Sequence, residues 1–394
     1  MSIIDPFSIN VPTDQISDIK GRLANARLPN ELDEAGWDLG TPVNEVRPLA
    51  TYWRDHFDWK ATEARIYFMH QPSSIPDVIP LLYVHGWPDS FLEGTKIIQA
   101  HSGDGIADPA FHVVGISLPN FGFSEGPSRR GFGLEQYAET CHKLMQRLGY
   151  QEYVTQGGDW GYYITRTMAL LYPQYCKVTH INFDYGGGPP GFWKYPLLAI
   201  EHAVTPYTER EKKGMERRKW FSEESSGYRA MQATKPTTVS YALTDSPVAL
   251  LAWIYEKLHD LSDHNPWSEE EVCTWISIYW FSTALGREGA SLRIYYEETH
   301  TWKDSVPNKV TRARTGEWID SVKIGYSHLP MKLRISPSTW VRKLGPIVFD
   351  RQKDRSGHYF AWEAPESFIE DLRDMFRRGG GAYGAVSGRN GYLE

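Results

Sequence analysis

Residues 157–161 read Gly-Gly-Asp-Trp-Gly, a lone carboxylate with small residues two places before it and two after. Small neighbours at that spacing permit a sharp, strained turn from a strand into a helix, and such a turn lifts its central side chain above the sheet. Asp159 is therefore expected to be ionised and aimed outward, at a helix start whose dipole favours negative charge, with the backbone N–H of Trp160 facing the same spot. A Gly-Gly-Asp turn that merely caps the next helix is the plainer alternative. Two further placements weigh against it. His85-Gly86-Trp87-Pro88 follows the apolar run PLLYV, where the Trp87 N–H would be a second donor to a developing oxyanion. His358 lies in a loop after the last apolar run, PIVFD, where a base would be needed. A serine at the bend would attack a carbonyl. A carboxylate is a weak nucleophile, suited instead to displacement at a strained, saturated carbon.

The elements that must hold these residues are legible as short apolar runs closed by turn signals. LLYVHG, HVVGISLP, YVTQGGD and VTHINFD alternate with helix-length stretches such as GLEQYAETCHKLMQRLG, and SVKIGYSH and PIVFD return near the end. Strands alternating with helices predict an α/β fold, a mostly parallel sheet with helices on both faces. Five segments follow: a wrapping segment over 1–70, the first part of the core over 71–185, an inserted helical lid over 186–314, the second part of the core over 315–378 and a Gly-rich tail over 379–394. Within the lid, Ser246-Pro247 and the capping-box sequence SEEE at 268–271 mark helix starts. The tail, RRGGGAYGAVSGRNG, has glycines enough for a phosphate cradle, but no strand precedes it, and it is expected to be frayed.

The chain has 394 residues, of which 41% are hydrophobic and 23% charged, enough for a large core. A formal charge of -7 offers no field for a phosphate backbone and argues against nucleic acid as a partner. Aromatic residues make up 14% of the chain and crowd between Phe192 and Trp302, which suits either a lined apolar pocket or ordinary core packing. Cys141, Cys176 and Cys273 lack ligand or disulfide spacing, so no metal or disulfide framework is expected and a reducing compartment fits. Neither a signal-like start nor a transmembrane anchor is read, and a cytoplasmic location is the expectation. Oligomeric state, including a homodimer, is left open.

Six separated stretches together resemble one family: the LPNELDEAGWDLG…DWKATEA region, LLYVHGWPDSFLE, SLPNFGFSEGP, QGGDWGYYITRTMALLYP, SPVALLAWIYEKL and SGHYFAWEAPE. The family is the microsomal-type epoxide hydrolases of the α/β-hydrolase fold, and the likeness runs from the N-terminus to about residue 377. It implies a cofactor-free enzyme with an apolar epoxide and water as its small-molecule substrates. Asp159 would open the ring to give an alkyl ester, and water activated by His358 would attack the ester carbonyl while the Trp87 and Trp160 N–H groups hold the oxyanion, releasing a vicinal diol. The resemblance also assigns Tyr228 and Tyr295, in GYRAMQATKP and LRIYYEE, as the acids at the departing oxygen, with Tyr296 the neighbour most easily confused with Tyr295.

The likeness has two gaps. The acid that orients the base should follow the next-to-last strand, yet register with GYSHLPMKL puts Lys332 there, and a cation cannot accept an imidazole N–H. Asp184, closing the strand THINFD, is the candidate for a relocated acid, or else caps the turn into the glycines that follow; Asp350 and Asp354 share His358's own strand and loop, from which reaching back is harder. The stretch EARIYFMHQPSS, after Glu63, is shorter than the family's, which either removes an edge strand or opens the tunnel. Three other activities stay open on the same residues: cyclisation of an epoxide without water, haloalkane dehalogenation and silent ligand binding.

Overall fold

A computed structural model describes residues 11–59, 68–98, 105–183, 188–264, 266–282, 287–300, 310–333 and 335–393. Its centre is a seven-stranded sheet in the order β1-β3-β2-β4-β5-β6-β7. The strands are β1 Phe68–Gln71, β2 Ile79–Val84, β3 Phe111–Ile116, β4 Tyr153–Gly157, β5 Cys176–Ile181, β6 Lys323–His328 and β7 Ile347–Gln352. All pair in parallel except β1, which runs antiparallel to β3 along one edge. An edge strand is thus present within the shortened stretch; residues 63–67 of that stretch lie outside the described residues.

Every residue of β2 and β4 is buried, which requires cover on both faces of the sheet. Alternate residues divide the work. Ile79, Leu81, Tyr83, Phe111, Val113, Val154 and Val178 join Phe368, Leu372, Met375 and Phe376 of the helix Pro365–Phe376 in one core. The helices Leu134–Arg147 and Asp159–Leu171 form the other layer. Arg166 of the latter is fully buried yet spends its guanidinium on the carbonyls of Thr315 at 3.0 Å, Glu317 at 2.7 Å and Leu344 at 2.8 Å, tying that helix to the segment before β6 and the turn before β7.

Two compact units make up the chain. The sheet unit comprises Phe68–Ile116, Gly131–Gly227 and His300–Glu394, and the other comprises Met1–Tyr67, Ser117–Arg130 and Tyr228–Thr299. In the second unit the N-terminal helices Thr13–Ala24 and Val43–Asp55 pack with the helices Pro247–Leu261 and Glu269–Trp280. Trp53 Nε1 donates to Ser277 Oγ at 2.9 Å, and Trp37 stacks on His259 at 3.5 Å between ring centroids. Ser246 and Ser268 cap their helices at the amides of Ala249 and Glu271, as their sequence signatures foretell. The division falls at residue 228, inside the stretch expected to be one lid. Residues on its N-terminal side stay with the sheet because Arg210 donates to the His328 carbonyl at 3.1 Å and Glu211 accepts from the Ser338 amide at 3.0 Å.

The Gly-rich tail corrects the expectation of fraying. Ala382 and Val386 are buried in the sheet core, and Gly391 exchanges backbone hydrogen bonds with its neighbours, accepting from Ala110 at 2.8 Å and donating to Asp77 at 3.0 Å. Gly391 has φ +84, and a Cβ there would press on Pro109 at 2.9 Å, so the glycine is what lets the tail lie flat against that turn. Backbone pairing and a few small apolar side chains hold this segment down.

Candidate active site

Chain order reverses between β2 and β4, which lie side by side with Val84 opposite Gly157. A crevice opens beyond the carboxyl ends of strands at such a reversal, and the two motifs singled out from the sequence leave the sheet there. Asp159 takes φ +47, a left-handed backbone that a non-glycine residue adopts only under constraint. The bend tolerates it because Gly161 lies against the Val84 carbonyl with no room for a Cβ. Asp159 also opens the helix Asp159–Leu171.

The HGWP segment approaches from β2. The Trp87 N–H donates to Asp159 Oδ1 at 3.0 Å, and the Trp160 N–H also bonds the carboxylate. Gly86 is obligatory, since a Cβ there would sit 2.5 Å from Asp159 Cβ and Oδ1. Asp159 is buried, and burial raises its pKa above the carboxylate norm; the facing His358 and the two N–H donors oppose that rise while Asp89 adds to it.

His358 is brought in by the loop after β7. Glu363 grips the loop on either side of it, accepting from the Gly357 amide at 3.0 Å and the Tyr359 amide at 2.9 Å. His358 Nε2 lies 3.2 Å from Asp89 Oδ1, while Asp89 Oδ2 accepts from the Gly86 N–H at 2.9 Å. One oxygen of Asp89, one of Asp159 and one imidazole nitrogen of His358 all fall within 4.8 Å of one another. Lys332 is buried too, donates to the His358 carbonyl at 2.8 Å and faces both carboxylates. Such a set of ligand atoms has a spacing that suits a divalent cation, but the Lys332 ammonium already supplies positive charge to it.

The structure thus gathers Asp159, His358, Trp87 and Trp160. Asp184 lies outside the described residues. Asp350 pairs with His328 at 2.7 Å, and the exposed Asp354 faces Arg210. In the second unit Tyr228 and Tyr295 are buried and meet edge to face, their ring centroids 6.3 Å apart and the planes at 77°. Lys257 lies 5.0 Å above the Tyr228 ring. Tyr296 turns elsewhere, beneath Arg130 and into a 510 Å³ cavity shared with Arg129, Lys235 and Arg293, which separates it from Tyr295.

Comparison with known proteins supplies the family. Residues 4–94 match the epoxide hydrolase N terminus and residues 79–180 the alpha/beta hydrolase fold. Epoxide hydrolase 1 of Sus scrofa is 32% identical over 408 residues, covering 94% of this chain and 88% of that one. The chain belongs to the epoxide hydrolase family. The solved structure of Aspergillus niger epoxide hydrolase superposes with a TM-score of 0.78 at 26% identity, covering 93% of this chain and 94% of that one. Juvenile hormone epoxide hydrolase from the silkworm Bombyx mori gives 0.79 at 25%, covering 93% and 92%. No helix among the described residues is long and apolar enough to cross a membrane.

Sequence reasoning missed two residues of this epoxide hydrolase's site. Asp89 follows the HGWP motif directly, but a carboxylate in a turn reads as a local cap, and its meeting with His358 spans most of the chain. Glu363 sits in the quoted SGHYFAWEAPE stretch, where the spacing of the two amides it bridges was the available signal.

The sheet unit also holds a Ser-His-Asp grouping away from that site. His180 Nε2 lies 2.9 Å from Ser327 Oγ, and that hydroxyl donates to Asp371 Oδ2 at 2.6 Å. The polarity is the reverse of a catalytic triad, in which the hydroxyl donates to the imidazole. Asp371 is fully buried and paired with Lys353 at 2.6 Å and Arg351 at 3.1 Å, so the group is a structural anchor.

Proposed function

We propose that this epoxide hydrolase acts on a bulky, apolar epoxide through a covalent ester on Asp159. The Asp159 carboxylate attacks a ring carbon; the C–O bond breaks, and the departing oxygen takes a proton from a phenol of the Tyr228 and Tyr295 pair. Water then gives a proton to His358 and adds to the ester carbonyl. The Trp87 and Trp160 N–H groups hold the oxyanion, and its collapse expels the diol, which recovers the proton from His358.

One observation carries the reading: the buried Asp159 carboxylate accepts the Trp87 N–H at 3.0 Å and shares a cluster with the His358 imidazole. A carbonyl formed by esterification of Asp159 would meet its oxyanion donors without moving. A cytoplasmic enzyme is part of the same proposal, supported by three buried cysteines with no disulfide.

The test uses intact-protein mass spectrometry with styrene oxide as probe. His358→Gln is expected to accumulate one substrate mass per chain, Asp159→Asn none and no diol. Over many turnovers in water enriched in heavy oxygen the diol gains one labelled atom, because water's oxygen enters the Asp159 carboxylate and passes to the next substrate; a product free of label after many turnovers would favour cyclisation instead.

A further inference from the structure

Position 332, where the family likeness places an acid, holds a lysine, and the lysine is not displaced from the site. Lys332 is buried, with its ammonium on the His358 carbonyl at 2.8 Å. The carboxylate nearest the imidazole comes from the opposite side of the crevice: Asp89 Oδ1 lies 3.2 Å from His358 Nε2, and its other oxygen is fixed by the Gly86 N–H at 2.9 Å. We propose that Asp89 and Lys332 are a transposed relay, in which Asp89 is the positioning acid that stabilises the His358 imidazolium and Lys332 is its countercharge.

The inference rests on the hydrolytic reading and follows from its charge balance. At rest the cluster holds two carboxylates and one ammonium. Alkylation turns Asp159 into a neutral ester, so Asp89 becomes the anion left facing the imidazole. When water passes its proton to His358 and its oxygen forms the new bond to the ester carbon, the imidazolium gains Asp89 as its counterion and the oxyanion is held by backbone N–H groups. Burial alone would raise the Asp89 pKa, yet His358 foremost, then Lys332 and His85, bring it below the carboxylate norm, while burial lowers the Lys332 pKa and Asp89 and Asp159 oppose that fall. Glu93, also buried beside Asp89, is pushed well above its ordinary pKa by burial and by Asp89. Glu363 faces Lys332 and holds the loop through amides rather than the imidazole.

The test separates ester formation from ester hydrolysis, with styrene oxide and rapid-quench mass spectrometry. Asp89→Asn keeps the acceptor for Gly86 and is expected to form the Asp159 ester but to hydrolyse it about 10²–10⁴-fold more slowly. The rising limb of hydrolysis against pH should move to lower pH in Asp89→Asn, because an anion facing the imidazolium is gone, and to higher pH in Lys332→Met, because a cation is gone; shifts of about one unit are expected. Opposite shifts are a signature that a loss of packing does not give. Asp89→Glu should recover part of the rate. If Asp89→Asn fails to fold, the Lys332→Met profile decides. An ester that decays in Asp89→Asn within about threefold of the parent rate, or a Lys332→Met limb that stays in place, overturns the relay and leaves the hydrolytic reading standing. Absence of any ester in His358→Gln removes both.

Discussion

The backbone N–H of Trp87 donates to Asp159 Oδ1 at 3.0 Å. This contact spans the sheet's reversal point and depends on Gly86, whose missing Cβ leaves room for Asp159. Gly86→Ala should force the donor and the carboxylate apart, lowering the ester hydrolysis rate by about 10²–10³-fold, the range for losing one oxyanion donor. Single-turnover decay of the Asp159 ester measures it. A variant that hydrolyses the ester at the parent rate would show that the Trp87 N–H is not used.

Tyr228 and Tyr295 meet edge to face, whereas Tyr296 lies under Arg130. Replacing both members of the pair with phenylalanine is expected to slow ring opening by about 10²–10⁴-fold, with each single change costing less because the partner still donates. Tyr296→Phe should stay within about twofold on the same scale. Rates of ester formation, not of diol release, are the relevant readout, since acid assistance belongs to the first step.

Stability should fall on the acid side. Burial pushes His85 down to about 4, His112 down to about 4 and His180 down to about 3, each from 6.5, with neighbouring cations adding to the effect for the last two. A histidine whose folded pKa is depressed stays neutral in the native state but takes up a proton once unfolded. Its contribution is therefore whole above pH 6.5 and is lost as pH falls through 6.5 towards about 4. Tm is expected to decline over that window, and His112→Gln should flatten the decline. A Tm that is level between pH 7 and about 4.5 would contradict the assignment.

Much of this was legible because strong local signals coincide with the chemistry. The β2 run, IPLLYV, is apolar throughout where both sheet faces are covered, the bend at Asp159 needs glycines that announce themselves, and the helix caps at Ser246 and Ser268 are local. What was not legible is long-range or carried by backbone. β1 is four residues with little apolar pattern, FMHQ. The tail docks through amides and a handful of small apolar side chains, so its glycines suggested fraying. Asp89 becomes interesting only once the fold sets it against a residue from the far end of the chain. The candidate offered from the sequence, Asp184, was drawn from strand-end analogy and lies outside the described residues.

The anchor formed by His180, Ser327 and Asp371 bears on how such a chain is recognised by reagents. Because the Ser327 hydroxyl hands its hydrogen to a carboxylate, its oxygen is not activated by the imidazole, and the side chain has no surface for an electrophile to approach. A fluorophosphonate tag, which labels hydrolases of this fold through an activated serine, therefore finds no target in this trio. Proximity of three familiar side chains is not reactivity; the direction in which the hydroxyl points decides it.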